Sequence, residues 1–165
     1  MVVYLSFESQ LSSFLEGFEK LIILGVGNEL KCDDGVGPYI IKKLKDEDIE
    51  DNERLLFIDA QTVPENFTGK IRKENPSHVI IVDACLMDGK PGDIKIVDKE
   101  DFVNIGISTH SMSLSFFVRY LEQGTDFKII FVGIEPESMD YDDKPTVNVE
   151  NAANDFIKIL KGIIV

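Results

Sequence analysis

The sequence predicts an α/β domain: a three-layer α/β/α sandwich around a twisted, mostly parallel sheet of about five strands, with one antiparallel edge strand. Short apolar runs recur along the chain, helical patterns lie between them, and no repeat or low-complexity linker interrupts the alternation. With 165 residues the chain can bury one core of good size, and it is too short for two comfortable ones.

Residues 1–19 place Phe7, Leu11, Phe14, Leu15 and Phe18 on one helical face. They are read as an N-terminal helical extension on a single main domain, residues 20–165. Residues 20–27 (KLIILGVG) form a continuous apolar run ended by glycines, the pattern of a strand buried on both sides. A loop is expected over 28–34 and a helix over 35–44, where Pro38 is tolerated in the first turn. Residues 54–59 (RLLFID) read as a second strand, 64–73 as a helix broken at Asn75-Pro76-Ser77, and 78–83 (HVIIVD) as a third buried strand. Residues 92–97 (GDIKIV) alternate polar and apolar after a Lys90-Pro91-Gly92 turn, which suits an antiparallel edge strand. A helix over 111–123 is stopped by Gly124, and 126–134 (DFKIIFVGI) is another strand. Residues 147–160 close the chain as a helix with Val147, Ala152, Phe156, Ile159 and Leu160 on one side.

Charge and composition exclude several classes. A net charge of −13 opposes a nucleic-acid partner, which needs a basic footprint. Such a surface serves solubility, and carboxylates gathered at a cleft attract a cation. No segment reaches the roughly 18 apolar residues of a membrane span, and no secretory leader pattern is present, so a cytoplasmic location is expected. Cys32 and Cys85 show no CxxC spacing and predict no disulfide scaffold. Cys85, behind a buried strand, is read as a small apolar filler rather than a thiol nucleophile.

Chemistry collects at the carboxyl ends of the strands, where open α/β sheets bind ligands. The first strand leads to Asp33-Asp34-Gly35, the second ends at Asp59 and the third at Asp83. Like charges delivered to one rim cost energy unless a cation, a shared proton or helix N-termini offset them. Each acid also has a plainer reading as a turn or cap, and for Asp59 that reading is favoured. His78 is expected at a surface or edge. His110 precedes an amphipathic helix whose positive end disfavours imidazolium, so a neutral, metal-binding ring is expected. Asp34, Asp83 and His110 thus make a plausible open three-ligand site for a borderline divalent ion. Glu29, Glu65 and Asp59 are further acids that the sequence neither places in the site nor removes from it.

Competing sites lack their motifs. Gly25-Val26-Gly27-Asn28-Glu29-Leu30 has leucine where a dinucleotide fingerprint needs its third glycine, and an acidic loop follows. A P-loop, a GxSxG elbow and an HExxH helix are all missing.

Taken together, Gly25-Val26-Gly27-Asn28, Asp33-Asp34-Gly35-Val36-Gly37, Ile81-Val82-Asp83-Ala84 and Thr109-His110-Ser111-Met112-Ser113-Leu114 resemble the maturation endopeptidases of nickel–iron hydrogenases. The likeness runs from about residue 20 to about residue 160. Val63-Pro64-Glu65-Asn66, Pro91-Gly92-Asp93-Ile94 and Gly133-Ile134-Glu135-Pro136-Glu137 look most like the subgroup that processes the hydrogenase-3 type large subunit. The resemblance implies a protease that removes the C-terminal extension of the nickel-loaded large subunit precursor. It also implies that Asp34, Asp83 and His110 recognise nickel supplied by that precursor and take part in the cut, by a metallo- or an aspartic-type mechanism. A non-catalytic nickel-binding accessory module is the alternative. Residues 1–19 extend beyond the usual start of this family, and either cover the sheet or form an oligomer contact. The sequence leaves the oligomeric state open.

Overall fold

The computed structural model describes residues 4–47, 49, 52–98, 100 and 110–165. Strands β1 (Leu21–Val26), β2 (Leu55–Gln61), β3 (His78–Ala84), β4 (Ile94–Asp98) and β5 (Lys128–Ile134) form one sheet in the order β2-β1-β3-β5-β4. The pairs β1–β2, β1–β3 and β3–β5 are parallel, and β4 runs antiparallel to β5 at the edge. Every residue of β1 and β3 is buried, as their unbroken apolar runs require of inner strands. Strand β4 is nowhere fully buried, in keeping with its alternating sequence.

The described helices are α1 (Phe7–Leu15), α2 (Val36–Asp46), α3 (Thr68–Glu74), α4 (Ser111–Glu122) and α5 (Val147–Ile164). Because side chains alternate across a strand, the sheet builds two cores. Ile80, Val82 and Ala84 of β3 pack with α1, α2 and α5, whereas Val79 and Ile81 pack with α3 and α4. This is the expected three-layer sandwich. Helix α1 starts at Ser6, whose hydroxyl accepts the Ser9 N–H at 3.1 Å. It buries Leu11 and Leu15 and sets Phe7 edge-on to Phe156 of α5, ring centroids 6.1 Å apart.

Three expectations need correction. The helix read over 64–73 is two pieces, a 3-10 turn Pro64–Phe67 and then α3, which ends at a left-handed Asn75. Val147 does not share the buried side of α5; it opens the helix, projects past the core and is 73% exposed. His78 is neither at the surface nor at an edge. It begins the middle strand of the sheet and is only 3% exposed, because Phe14 and Phe18 stand edge-on over its ring at 5.0 and 6.5 Å. Its Nδ1 meets the Ser77 hydroxyl at 2.8 Å, while Nε2 has no hydrogen-bond partner among the described residues. Burial first, and the Lys128 charge second, push this imidazole below its ordinary pKa, against a weaker pull from the Phe14 backbone.

Both cysteines are free and buried. No described helix is long and apolar enough to cross a membrane.

Candidate active site

The loop after β1 makes a tight return. At Gly27, with φ of +149°, the Asp34 carbonyl passes so close that a Cβ would lie 1.9 Å from its oxygen. Gly37, one turn further on, lets α2 rest on the sheet, since a Cβ there would stand 2.5 Å from the Val26 backbone and 2.7 Å from the Val82 carbonyl. Between them Cys32–Gly35 forms one 3-10 turn that feeds directly into α2. Asp33 and Asp34 therefore sit side by side before a helix N-terminus, where negative charge is favoured.

Asp34 is 4% exposed, and its Oδ2 accepts the Asn28 N–H at 3.1 Å. Asp83 lies near the carboxyl end of β3, alternating onto the face shared with α3 and α4. It is fully buried, and its Oδ1 accepts the Ala84 N–H at 2.8 Å. His110 occupies the position just before α4. Its Nδ1 stands 3.4 Å from Asp83 Oδ2 and its Nε2 3.6 Å from Asp34 Oδ2, with the side chain 14% exposed. One ligand atom from each of the three residues lies within 4.8 Å of the others. Three separate segments of the chain thus bring two carboxylates and an imidazole to one point on the rim, with an exposed sliver on the histidine. The donor set suits a borderline divalent ion.

The expectation of a neutral imidazole set by the helix end is overturned. Burial does push the His110 pKa down, but the Asp83 hydrogen bond and charge, with the Asp34 charge, outweigh it and raise the pKa. Lys31 opposes them weakly. Two full carboxylate charges at this range outrank the half-charge of a helix terminus. Without a cation the two carboxylates favour the protonated ring, and a divalent ion bound through the imidazole would compete with that proton.

Asp59 stands outside this group. It is half-buried, and its two oxygens accept the Gln61 N–H and the Gln61 side-chain amide, each at 3.1 Å, so it caps the end of its strand. The half-buried Glu29 and the exposed Glu65 are likewise not members. Ser108 and Thr109, part of the motif around His110, lie outside the described residues.

Two further acids in the surroundings have roles that the sequence alone does not assign. Asp33, paired there with Asp34 as one turn signal, is fully buried and faces a different loop. Glu135 is 4% exposed; its carboxylate accepts the Met87 N–H at 3.0 Å and the Gly89 N–H at 2.6 Å, holding the segment that follows Asp83. The doubled aspartate was the only signal for the first, since neighbours on one turn cannot point the same way. Burial, aided by the Asp83 and Glu135 charges, pushes the Cys85 thiol far above its usual range, which fits a filler and not a nucleophile.

The sequence profile of the HycI hydrogenase maturation protease family matches residues 38–162. A Methanocaldococcus jannaschii protein, provisionally named a hydrogenase maturation protease, is 35% identical over 157 residues, covering 90% of this chain and 93% of the relative. The hydrogenase 3 maturation protease of Escherichia coli is 30% identical over 142 residues, covering 86% of this chain and 88% of the relative. Among solved structures, a nickel–iron hydrogenase maturation protease from Thermococcus kodakarensis superposes with a TM-score of 0.84 at 25% identity, covering 94% of this chain and 98% of that one. The family match spans most of the chain and the fold agrees throughout, so the chain belongs to the hydrogenase maturation protease family.

Proposed function

We propose that the chain removes the C-terminal extension from a nickel-loaded hydrogenase large subunit precursor, and that Asp34, Asp83 and His110 carry the cut. The observation behind this reading is their convergence: ligand atoms within 4.8 Å of one another, from three segments, on the rim of the sheet. Nickel belongs to the substrate here. The three donors fit such an ion in number and chemical type, and an ion gripped there supplies Lewis-acid chemistry to a carbonyl lying against it.

The remaining work falls to the chain itself. Backbone N–H groups of Asn28 and Ala84 fix the two carboxylates before substrate arrives, so little reorganisation accompanies binding. His110 lies between them, one ring nitrogen facing each carboxylate, its Nδ1 at 3.4 Å from Asp83 Oδ2 and its Nε2 at 3.6 Å from Asp34 Oδ2.

Mass analysis of nickel-loaded precursor tests the reading. Wild type should release the C-terminal peptide, and Asp34→Ala, Asp83→Ala and His110→Ala should each lose at least about a hundredfold in rate. Full activity in all three variants ends the site assignment. Tight binding of a precursor that stays intact would instead make the protein a nickel-checking module.

A further inference from the structure

Asp33 is bonded on both oxygens to a second loop. Its Oδ2 accepts the Glu137 N–H at 2.8 Å and the Ser138 N–H at 3.0 Å, while Oδ1 accepts the Thr146 N–H at 2.7 Å. The Thr146 hydroxyl lies 3.0 and 2.8 Å from Oδ1 and Oδ2, its one proton serving either. Backbone bonds reinforce the contact in both directions. Asp33 N–H donates to the Ser138 carbonyl at 3.1 Å and Cys32 N–H to the Asp142 carbonyl at 3.0 Å; Asp142 N–H returns to the Leu30 carbonyl at 3.1 Å.

The partner loop, residues 136–146, contains no buried residue. Met139 packs half-buried against the core, and the rest of the attachment is polar and centred on Asp33. A fully buried carboxylate is costly unless its lone pairs are filled, and here backbone donors and one hydroxyl fill them. The clamp closes on the residue next to Asp34. On the other side the same turn is held by the Gly27 contact and by the start of α2. Asp34 is therefore pinned from two directions, and the Asp33 side is the one made of replaceable side chains.

We infer that Asp33 is a positioning residue for the cut: by locking loop 136–146 onto the 30–33 segment, together with Thr146, it holds the Asp34 carboxylate in register with Asp83 and His110. The inference rests on the reading that Asp34 acts in the reaction, and the experiment separates the two.

Cleavage of nickel-loaded precursor is followed for wild type, Asp33→Asn, Thr146→Val, Thr146→Ser and Asp34→Ala, with melting temperatures alongside. Asparagine keeps the shape of Asp33 but must turn an amide N–H toward at least one backbone donor. Because a misplacement near 1 Å at a reacting centre costs on the order of a hundredfold, kcat for Asp33→Asn should fall roughly 10- to 100-fold with KM nearly unchanged. Thr146→Val should lower kcat in the same direction, and Thr146→Ser should restore it. A folded Asp33→Asn protein with a lower melting temperature and wild-type kcat would make Asp33 a purely structural anchor and overturn the inference. If Asp33→Asn does not fold, the threonine pair decides: a kcat loss in valine recovered by serine supports positioning, and wild-type kcat in valine overturns it. Full activity in Asp34→Ala removes the underlying site reading. Loss in Asp34→Ala with wild-type kcat in Asp33→Asn and Thr146→Val removes only the positioning role.

Discussion

Gly27→Ala is the sharpest test of how the loop geometry serves the site. The new Cβ would start 1.9 Å from the Asp34 carbonyl oxygen and 3.0 Å from its carbonyl carbon, at a φ of +149° that alanine resists. Relief to an ordinary 3.4 Å contact means that the two backbones part by about 1.5 Å. The far partner of that clash is backbone and not a swinging side chain, so the displacement passes directly to Asp34. A shift of this size beside a reacting centre predicts a fall in kcat of about a hundredfold or more, and overpacking predicts a stability loss of about 1–3 kcal/mol. Gly69→Ala is the control, because a Cβ there meets nothing within 4 Å and its backbone lies in α3. That change should leave kcat alone and be neutral or stabilising by up to about 1 kcal/mol. Single-turnover cleavage of nickel-loaded precursor, read by mass, and urea unfolding provide the two measurements. A Gly27→Ala protein within threefold, roughly 0.65 kcal/mol, of wild-type kcat would refute the reasoning that this close approach sets the position of Asp34.

The remaining predictions concern the two histidines, whose effects on stability have opposite signs. His110 is raised in the folded protein, so its contribution is complete below its ordinary value of 6.5 and is lost as pH climbs through the raised one. In metal-free protein, Asp83→Asn should lower the NMR titration midpoint of His110 and flatten the decline in unfolding free energy above pH 6.5; an unmoved midpoint contradicts the assigned cause. His78 is depressed, so its neutral, buried form supports the fold above 6.5 and that support is lost as pH falls through the depressed value. His78→Gln should therefore show a smaller loss of stability between pH 7 and pH 5 than wild type in urea titrations, and an equal loss would count against it.

Much of the fold was readable from local pattern. The apolar runs of β1 and β3 marked inner strands, and the alternation in β4 marked an edge, because burial on two faces or one leaves its own periodicity. The division of 64–73 into a 3-10 turn and α3 is not legible locally, because Pro64 and its neighbours satisfy both a 3-10 turn and a helical start, and propensity alone does not separate them. The burial of His78 is illegible in the sequence for a different reason. Nothing within its strand reports that Phe14 of α1 and Phe18 just beyond that helix, sixty or more positions earlier, stand over its ring.

For the site, the sequence by itself determined the residue types and the strand ends that carry them: Asp34, Asp83 and His110 were all identifiable from motif and topology. Only the tertiary structure decided which acids meet. The order β2-β1-β3-β5-β4 sets Asp34 and Asp83 beside His110, leaves Asp59 capping its own strand and turns Asp33 toward another loop. It also reversed the direction in which the His110 pKa moves from the one that the helix end alone suggests. The physical reason is range. Periodicity and capping act between residues a few positions apart, whereas burial and Coulomb interactions depend on distance in space, which only the folded chain sets.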